Sequence, residues 1–189
     1  MYLLSGQDGM SFDALDEHAE RELYRLYKQY WREAERCQKA KAYLAGCVML
    51  GSALETLLML IVNVYPEEAE VAGRIPTSGG KSKPLLKWNL QELLAVAKHA
   101  GWLPSNLRVG EDEWATRSAK VGDYAEVTRM IRNLAHPARY HLDHSRKRVT
   151  AKFLEQQFEV VLACKEWLEK YNLKRLGEHM RKEGLLRDQ

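Results

Sequence analysis

Cysteine is scarce in this chain of 189 residues, and its pattern excludes several kinds of site. There are only three cysteines, Cys37, Cys47 and Cys164, and no two of them form a Cys-x-x-Cys pair. The odd number and the wide spacing give no support to a disulfide framework, a zinc ribbon or thioredoxin-like chemistry. Cys47 and Cys164 fall in apolar stretches, so we expect them to be small core residues.

Signal-peptide features are also missing from the first residues, which have neither a basic start nor a long apolar stretch. Together with the unpaired cysteines, this favours a protein of the reducing cytoplasm. Proline and glycine are few as well, with five and 12 residues respectively, and no segment shows a strand pattern. These observations favour an all-α chain over a turn-rich β-sandwich.

A strong excess of charge of one sign is absent. The chain carries 29 basic and 26 acidic residues, a net charge of +3, with both signs interspersed. Such a balance does not by itself indicate a nucleic-acid partner. The basic excess is local: one cluster falls in the predicted loop 137–150, and another begins at Lys170 and runs into the tail.

Apolar residues at helical spacing predict an up-and-down bundle of about five helices. The first begins at a cap, Ser11 or Asp13, and runs to about residue 38. The remaining helices are predicted over residues 39–65, 89–100, 112–136 and 150–171. We divide the chain into an arm (1–10), a helical domain (11–171, with loops 66–84 and 137–150) and a basic tail (172–189).

The second predicted helix is apolar on nearly every side, as in a core helix or a membrane span. Glu55 lies near its middle, where an acid costs about 2.5–3.5 kcal/mol on membrane insertion. We therefore expect a core helix and no membrane partner. A carboxylate in such a helix needs a partner, so we expect Glu55 to be buried and paired with an arginine or backbone donors of the fourth helix.

A cluster of polar residues ends the fourth predicted helix. Arg129, Arg132 and His136 are spaced by three and four residues and so share one face, with Asn133 beside them. Pro137 disfavours helical geometry at His136 and ends the helix there. Guanidinium groups bind phosphate through two hydrogen bonds, and histidine transfers protons near neutral pH. The alternative is structural: Arg132 pairs with an acid such as Glu55.

The loop that follows extends this cationic character. It supplies four further phosphate-binding candidates: Arg139, Arg146, Lys147 and Arg148. Cleavage of RNA without a metal needs a group that takes the 2′-hydroxyl proton, one that protonates the leaving oxygen, and cations that stabilise the charged intermediate. The end of the fourth helix and this loop contain residues of these types.

Two other motifs are weaker. Gly79-Gly80-Lys81-Ser82 lacks the first glycine and the preceding strand of a phosphate-binding loop. His136, His141, His144 and Asp143 are close in sequence, but their spacing matches no common zinc site. We therefore expect neither a metal nor another cofactor.

The segment Arg132-Asn133-Leu134-Ala135-His136-Pro137, after an apolar helix containing Gly51-Ser52-Ala53-Leu54-Glu55, resembles the HEPN superfamily. The resemblance implies a helical bundle that forms a homodimer and places both copies of the motif in one cleft. Many HEPN proteins are metal-independent endoribonucleases of prokaryotic toxin–antitoxin or antiviral systems. Others are catalytically inactive and bind a partner protein, such as an antitoxin or a defence subunit.

The spacing of the motif leaves both functions open. In the ribonuclease motif, four to six residues separate the arginine from the histidine. Here three residues separate Arg132 from His136, whereas six separate Arg129 from His136. We therefore carry Arg132, His136, Arg129 and Asn133 as catalytic candidates. Whether the chain is a metal-independent endoribonuclease or RNA-binding protein, or an inactive dimerisation and partner-binding module, is not decided by the sequence.

Overall fold

Helices dominate the computed structural model, which describes residue 12 and residues 14–105, 120–135 and 149–182, with side chains up to residue 180. Within these ranges six α-helices pack together, which confirms the predicted helical class. They are α1 (Glu17–Lys39), α2 (Tyr43–Val64), α3 (Pro66–Val71), α4 (Leu90–His99), α5 (Val121–Asn133) and α6 (Ala151–Lys182). The predicted arm (1–10) and most of the loop 137–150 lie outside the described residues.

The first helix begins later than predicted. Asp16, rather than Ser11 or Asp13, is the N-cap, and its side chain accepts a hydrogen bond of 2.7 Å from the Ala19 amide. Such a cap satisfies one of the otherwise unpaired N–H groups of the first turn. The buried residues of α1 are Leu23, Tyr27 and Ala34, which lie on one side of the helix.

The second helix is the centre of the bundle, since it contacts α1, α4, α5 and α6. Leu50, Ala53, Leu54 and Leu58 are fully buried. The helix is long and apolar enough to cross a membrane by length and composition, and 61% of its most apolar window is buried by the rest of the protein. The absence of a membrane partner therefore stays a prediction.

The predicted loop 66–84 contains regular structure. Pro66 does not simply end α2 but begins α3, because a proline at the first helical position leaves no needed N–H unpaired. A small hairpin follows, in which β1 (Thr77–Ser78) pairs antiparallel with β2 (Lys81–Ser82). Gly79 and Gly80 form its turn with φ values of +59° and +76°, which glycine adopts without strain.

The short helix α4 agrees with the prediction. Asn89 and Glu92 form a capping box at its start, and Gly101, with φ +77°, follows its end. Lys83 anchors the preceding loop by an ion pair of 2.7 Å with Glu92. The start of α4 is therefore held at a defined place beside α2.

The last helix runs further than predicted. α6 continues past Tyr171 to Lys182, with Gly177 inside it, so the first part of the predicted basic tail (172–189) is a continuation of this helix. Thr128 of α5 donates a buried hydrogen bond of 2.8 Å to Gln157 of α6. This contact joins α5 to the first half of α6.

A second set of polar contacts ties the C-terminal half of α6 to α3. Glu68 accepts hydrogen bonds from the indole of Trp102 (2.9 Å) and the hydroxyl of Tyr171 (2.5 Å), and pairs with Arg175 at 2.6 Å. We call these four residues the Glu68 cluster. Burial acts to raise the pKa of Glu68, but the three donors outweigh it and hold that pKa below its ordinary value.

Candidate functional site

The end of α5 is the part of the predicted site that the structure describes. Arg129, Arg132 and Asn133 lie in its last two turns, and Ala135 is the last residue described before 149. His136, the proposed proton-transfer residue, lies outside the described residues. So do the four basic loop candidates, Arg139, Arg146, Lys147 and Arg148.

Arg132 forms a two-point ion pair with Glu55 of α2. Its Nη2 lies 2.7 Å from Glu55 Oε2, and its Nη1 donates to Oε1 at 3.1 Å. The Arg132 side chain is 30% exposed and that of Glu55 is 16% exposed. The predicted pairing of Glu55 with an arginine of this helix is therefore confirmed. The pair fixes the guanidinium at the surface edge between α2 and α5.

Close approach of α2 and α5 depends on a glycine. A Cβ atom at Gly51 would lie 2.7 Å from the Arg132 Cβ and 2.9 Å from its Cδ. No real side chain fits at such a distance unless the helices move apart. The absence of a side chain at Gly51 thus lets the stem of Arg132 lie across α2 and reach Glu55, one turn further along.

Glu55 has a second donor besides Arg132. The backbone N–H of Leu90, the first residue of α4, faces its carboxylate and favours the charged form. Burial is the largest influence and raises the pKa of Glu55, opposed by Arg132 and by the Leu90 amide. Through this one carboxylate, α2, α4 and α5 are joined at a single point.

Arg129 lies in a separate ion-pair network. Its Nε donates to Glu126 at 2.7 Å, and Lys98 of α4 lies 3.3 Å from the other oxygen of the same carboxylate. The Lys98 side chain is 4% exposed and that of Arg129 is 18% exposed. Two cations therefore share one carboxylate in a largely buried position, which leaves a net positive charge beside Arg132.

An open apolar groove lies next to the end of α5. It is formed by the first two turns of α2 together with Ala135, and its lining is almost entirely apolar. The residues that line it are Ala42, Tyr43, Leu44, Ala45, Val48, Met49 and Ala135. The groove gives the site an apolar neighbour, as an interface does.

Metal ligands do not gather in the described part of the chain: no three side chains of His, Cys, Asp or Glu come together there. The histidines of the loop, His136, His141 and His144, lie outside it. The proposed absence of a metal or other cofactor therefore stays a prediction.

Comparisons with protein-family models, with curated proteins and with solved structures find no match to this chain. The likeness to HEPN proteins therefore depends on the residues quoted above, chiefly Arg132 to Pro137.

Sequence reasoning identified Glu55, Arg129 and Arg132 but missed three groups that complete their two networks. Lys98 and the amide of Leu90 come from α4, which the sequence does not pair with α5, and Glu126 lies on α5 itself. The three-residue spacing of Glu126 and Arg129 was the available signal, since such a pair meets on a helix surface.

Proposed function

We propose that this chain is a HEPN-like protein that acts on single-stranded RNA without a metal, as a homodimer of prokaryotic defence or toxin–antitoxin type. The observation that carries the proposal is the two-point pair of Arg132 with Glu55 at the end of α5. Arginine has five N–H donors and the pair with Glu55 uses two of them, so three are left over from this contact to bind a phosphate. Glu55 is then a positioning residue.

The chemistry proposed is transfer within the RNA chain. The 2′-hydroxyl oxygen attacks the adjacent phosphorus and the bond to the 5′ oxygen breaks, which leaves a 2′,3′-cyclic phosphate and a 5′-hydroxyl. Arg132 stabilises the charge on the phosphorane oxygens, and a preorganised cation is effective because it needs no reorganisation during the reaction. His136, three residues after the end of α5, is assigned the removal of the 2′-hydroxyl proton and the delivery of a proton to the leaving 5′ oxygen.

Cleavage of a labelled 20-nucleotide RNA in EDTA tests this proposal. We expect His136→Ala to abolish cleavage and retain much of the binding, and Arg132→Ala to weaken both. Arg132→Lys, which keeps the charge but not the two-point pair, should cleave at an intermediate rate. His179→Ala, at an exposed histidine of α6, is the matched control and should cleave as the wild type does.

Two outcomes contradict the proposal. One is cleavage that needs an added metal, and the other is cleavage that survives His136→Ala unchanged. Urea unfolding of each variant shows whether the loss of activity comes from a loss of the fold.

A second candidate function is an inactive HEPN-like module that dimerises or binds a partner protein. Two observations favour it: carboxylates occupy both Arg129 and Arg132, and the apolar groove lies beside them. It predicts no cleavage of RNA by the wild type.

The groove can be tested by light scattering. Val48→Glu introduces a charge into the groove, and Val71→Glu does the same at a residue that is 89% exposed on α3. A wild-type dimer that is lost in Val48→Glu but kept in Val71→Glu supports association through the groove. A monomer in the wild type at micromolar concentration contradicts the dimer of both candidate functions.

A further inference from the structure

The outer face of α1 carries a row of cations. Successive residues of a helix are rotated by about 100°, so the six cations of this row fall within an arc of about 80°. We call them the α1 basic face: Arg21, Arg25, Lys28, Arg32, Arg36 and Lys39. With a rise of about 1.5 Å per residue, the row is about 27 Å long.

All six side chains of the α1 basic face are exposed. The opposite side of α1, with Leu23, Tyr27 and Ala34, is buried against the bundle. The packing of the helix therefore fixes the direction in which the cations point. A fixed row of charges loses less conformational freedom on binding than a flexible basic tail does.

Acids beside the row form weak pairs with three of its members. Arg21 lies 3.6 Å from Glu17 and Arg25 lies 2.8 Å from Glu22, while Arg36 pairs with Glu33. Exposed pairs of this kind contribute little free energy, so a phosphate can replace the carboxylate.

Three members of the row, two in its middle and one at its end, have no carboxylate partner among the described residues. Within the described ranges no ion pair forms at Lys28, Arg32 or Lys39. Glu35, on the edge of the face, accepts a hydrogen bond from the Trp31 indole at 2.9 Å. These three cations are therefore the members of the row most available to a ligand.

An aromatic ring lies at the edge of the same face. Tyr24 is 53% exposed, and the ammonium group of Lys28 lies 4.4 Å from the centre of its ring. Tyr24 and Arg21 also line a groove of about 360 Å³ between α1, α2 and α6, which is lined as well by Leu57 and Leu60 and by two acids, Glu20 and Glu169. Cations interleaved with an exposed aromatic ring are the arrangement that binds phosphates and stacks an unpaired base.

We propose that the α1 basic face binds the phosphate backbone of single-stranded nucleic acid, with Tyr24 as a stacking platform for one base. A membrane surface is the less favoured partner, because the apolar side of α1 is buried and has nothing to insert into lipid. The face is separate from the end of α5, and the proposal does not require that any RNA be cleaved.

The test uses the full chain and two triple variants that each remove three positive charges. The first is Lys28→Gln, Arg32→Gln, Lys39→Gln. The matched control is Lys81→Gln, Lys87→Gln, Lys174→Gln, at exposed cations elsewhere. Binding of fluorescein-labelled U20 and dT20 is followed by anisotropy between 50 and 200 mM salt, and urea unfolding checks each variant.

We expect the first variant to bind about tenfold or more weakly, and its slope of log affinity against log salt to be smaller by about 2, since each single-strand phosphate contact contributes about 0.7. The control should remain close to the wild type. Tyr24→Ala should weaken binding and leave the salt slope unchanged, because stacking releases no counterions. Stronger binding of U20 than of dT20 identifies RNA as the ligand, and equal binding identifies single strands of either kind.

Three results overturn the proposal. In the first, the wild type binds neither oligonucleotide, and in the second, the two triple variants lose affinity equally. In the third, the first variant binds phosphatidylserine vesicles more weakly than the wild type does but binds both oligonucleotides normally. Failure of this proposal and failure of the proposed function give different results. Binding that needs the α1 basic face without cleavage in EDTA supports this inference alone. Cleavage that needs His136 while the first variant binds normally supports the proposed function alone.

Discussion

Glu55 and Glu68 are two largely buried glutamates that each face an arginine, yet their pKa values move in opposite directions. Glu55 has Arg132 and one backbone amide, and burial prevails, so its pKa is raised. Burial of Glu68 acts in the same direction, but Trp102, Tyr171 and Arg175 together prevail and lower its pKa. The Glu55 side chain is also the more deeply buried of the two, so the balance between burial and donors, more than the presence of an arginine, decides the direction in which the pKa moves.

The difference distinguishes a contact that stabilises the fold from a contact that is a candidate for ligand binding. The Glu68 cluster has many donors and ties α3, the residues after α4 and the end of α6 together. Glu55 has Arg132 as its side-chain partner, and that arginine remains 30% exposed at the surface. The Arg132 guanidinium is held in place at the surface, and Glu55 does not use all of its N–H donors. Such a group is suited to binding a phosphate.

The largest expected effect is the loss of the Glu68 cluster. Glu68→Ala leaves the indole of Trp102 and the phenol of Tyr171 without their acceptor, whereas Arg175 keeps Glu178, and we expect the free energy of unfolding to fall by about 3 kcal/mol. Urea unfolding measures this change. Glu67→Ala, at an exposed glutamate of the same helix, is the control and should change stability by less than about 0.5 kcal/mol. Equal effects of the two substitutions would contradict the structural role of Glu68.

Removal of Glu55 should cost less. Glu55→Ala takes one carboxylate from Arg132 and from the Leu90 amide, but water can reach Arg132, so we expect a loss of about 1–2 kcal/mol. A double-mutant cycle with Arg132→Ala isolates the pair, and a positive coupling energy is expected. Additive effects would show that the two side chains do not interact in solution.

Two glycines in helices sharpen the comparison further. Gly51→Ala forces α2 and α5 apart at Arg132, and we expect a net loss of about 1 kcal/mol after the gain in helix propensity. Gly177→Ala in α6 meets no atom within 4 Å and should instead stabilise the protein by about 0.5–1 kcal/mol. Thermal unfolding distinguishes these opposite signs, and stabilisation by both substitutions would contradict the close helix approach.

The smallest effect is the pH dependence, where the two glutamates should differ in sign. A lowered folded pKa gives Glu68 a stabilising contribution above its ordinary pKa, and this is lost as pH falls through the folded pKa. A raised folded pKa makes the contribution of Glu55 less favourable as pH rises through that value. The stability difference between wild type and Glu68→Gln should therefore increase with pH in the acid range, and that for Glu55→Gln should decrease. Slopes of the same sign would contradict the two environments described here.

The sequence predicted the helices whose apolar residues repeat over several turns, which are α1, α2, α4, α5 and α6. It missed α3 and the β1–β2 hairpin because they are too short to show a period. It also ended α6 at Tyr171, because a glycine such as Gly177 favours the end of a helix. The contacts of Asn172 and Arg175, which hold the extended helix against the bundle, are not visible in the sequence.

The candidate site was predictable only where one residue type stood out. Glu55 is the only acid in an apolar helix, so a partner was required, and Arg132 was the arginine in reach of it. The Glu68 cluster was missed because its members come from three distant parts of the chain, each ordinary in its own context. The α1 basic face was missed because acids interrupt it in sequence but not along the helix surface.

The central claim is that Arg132 presents its free N–H donors to an RNA phosphate at the end of α5. The most direct measurement is the side-chain Nε–H spectrum of ¹⁵N-arginine-labelled protein, with Arg132→Lys used for assignment, during titration with a non-cleavable 2′-O-methyl RNA. We predict that the Arg132 resonance shifts as the RNA binds and that the resonance of Arg129, held by Glu126, stays in place. An Arg132 resonance that does not move while the RNA is bound would contradict the account.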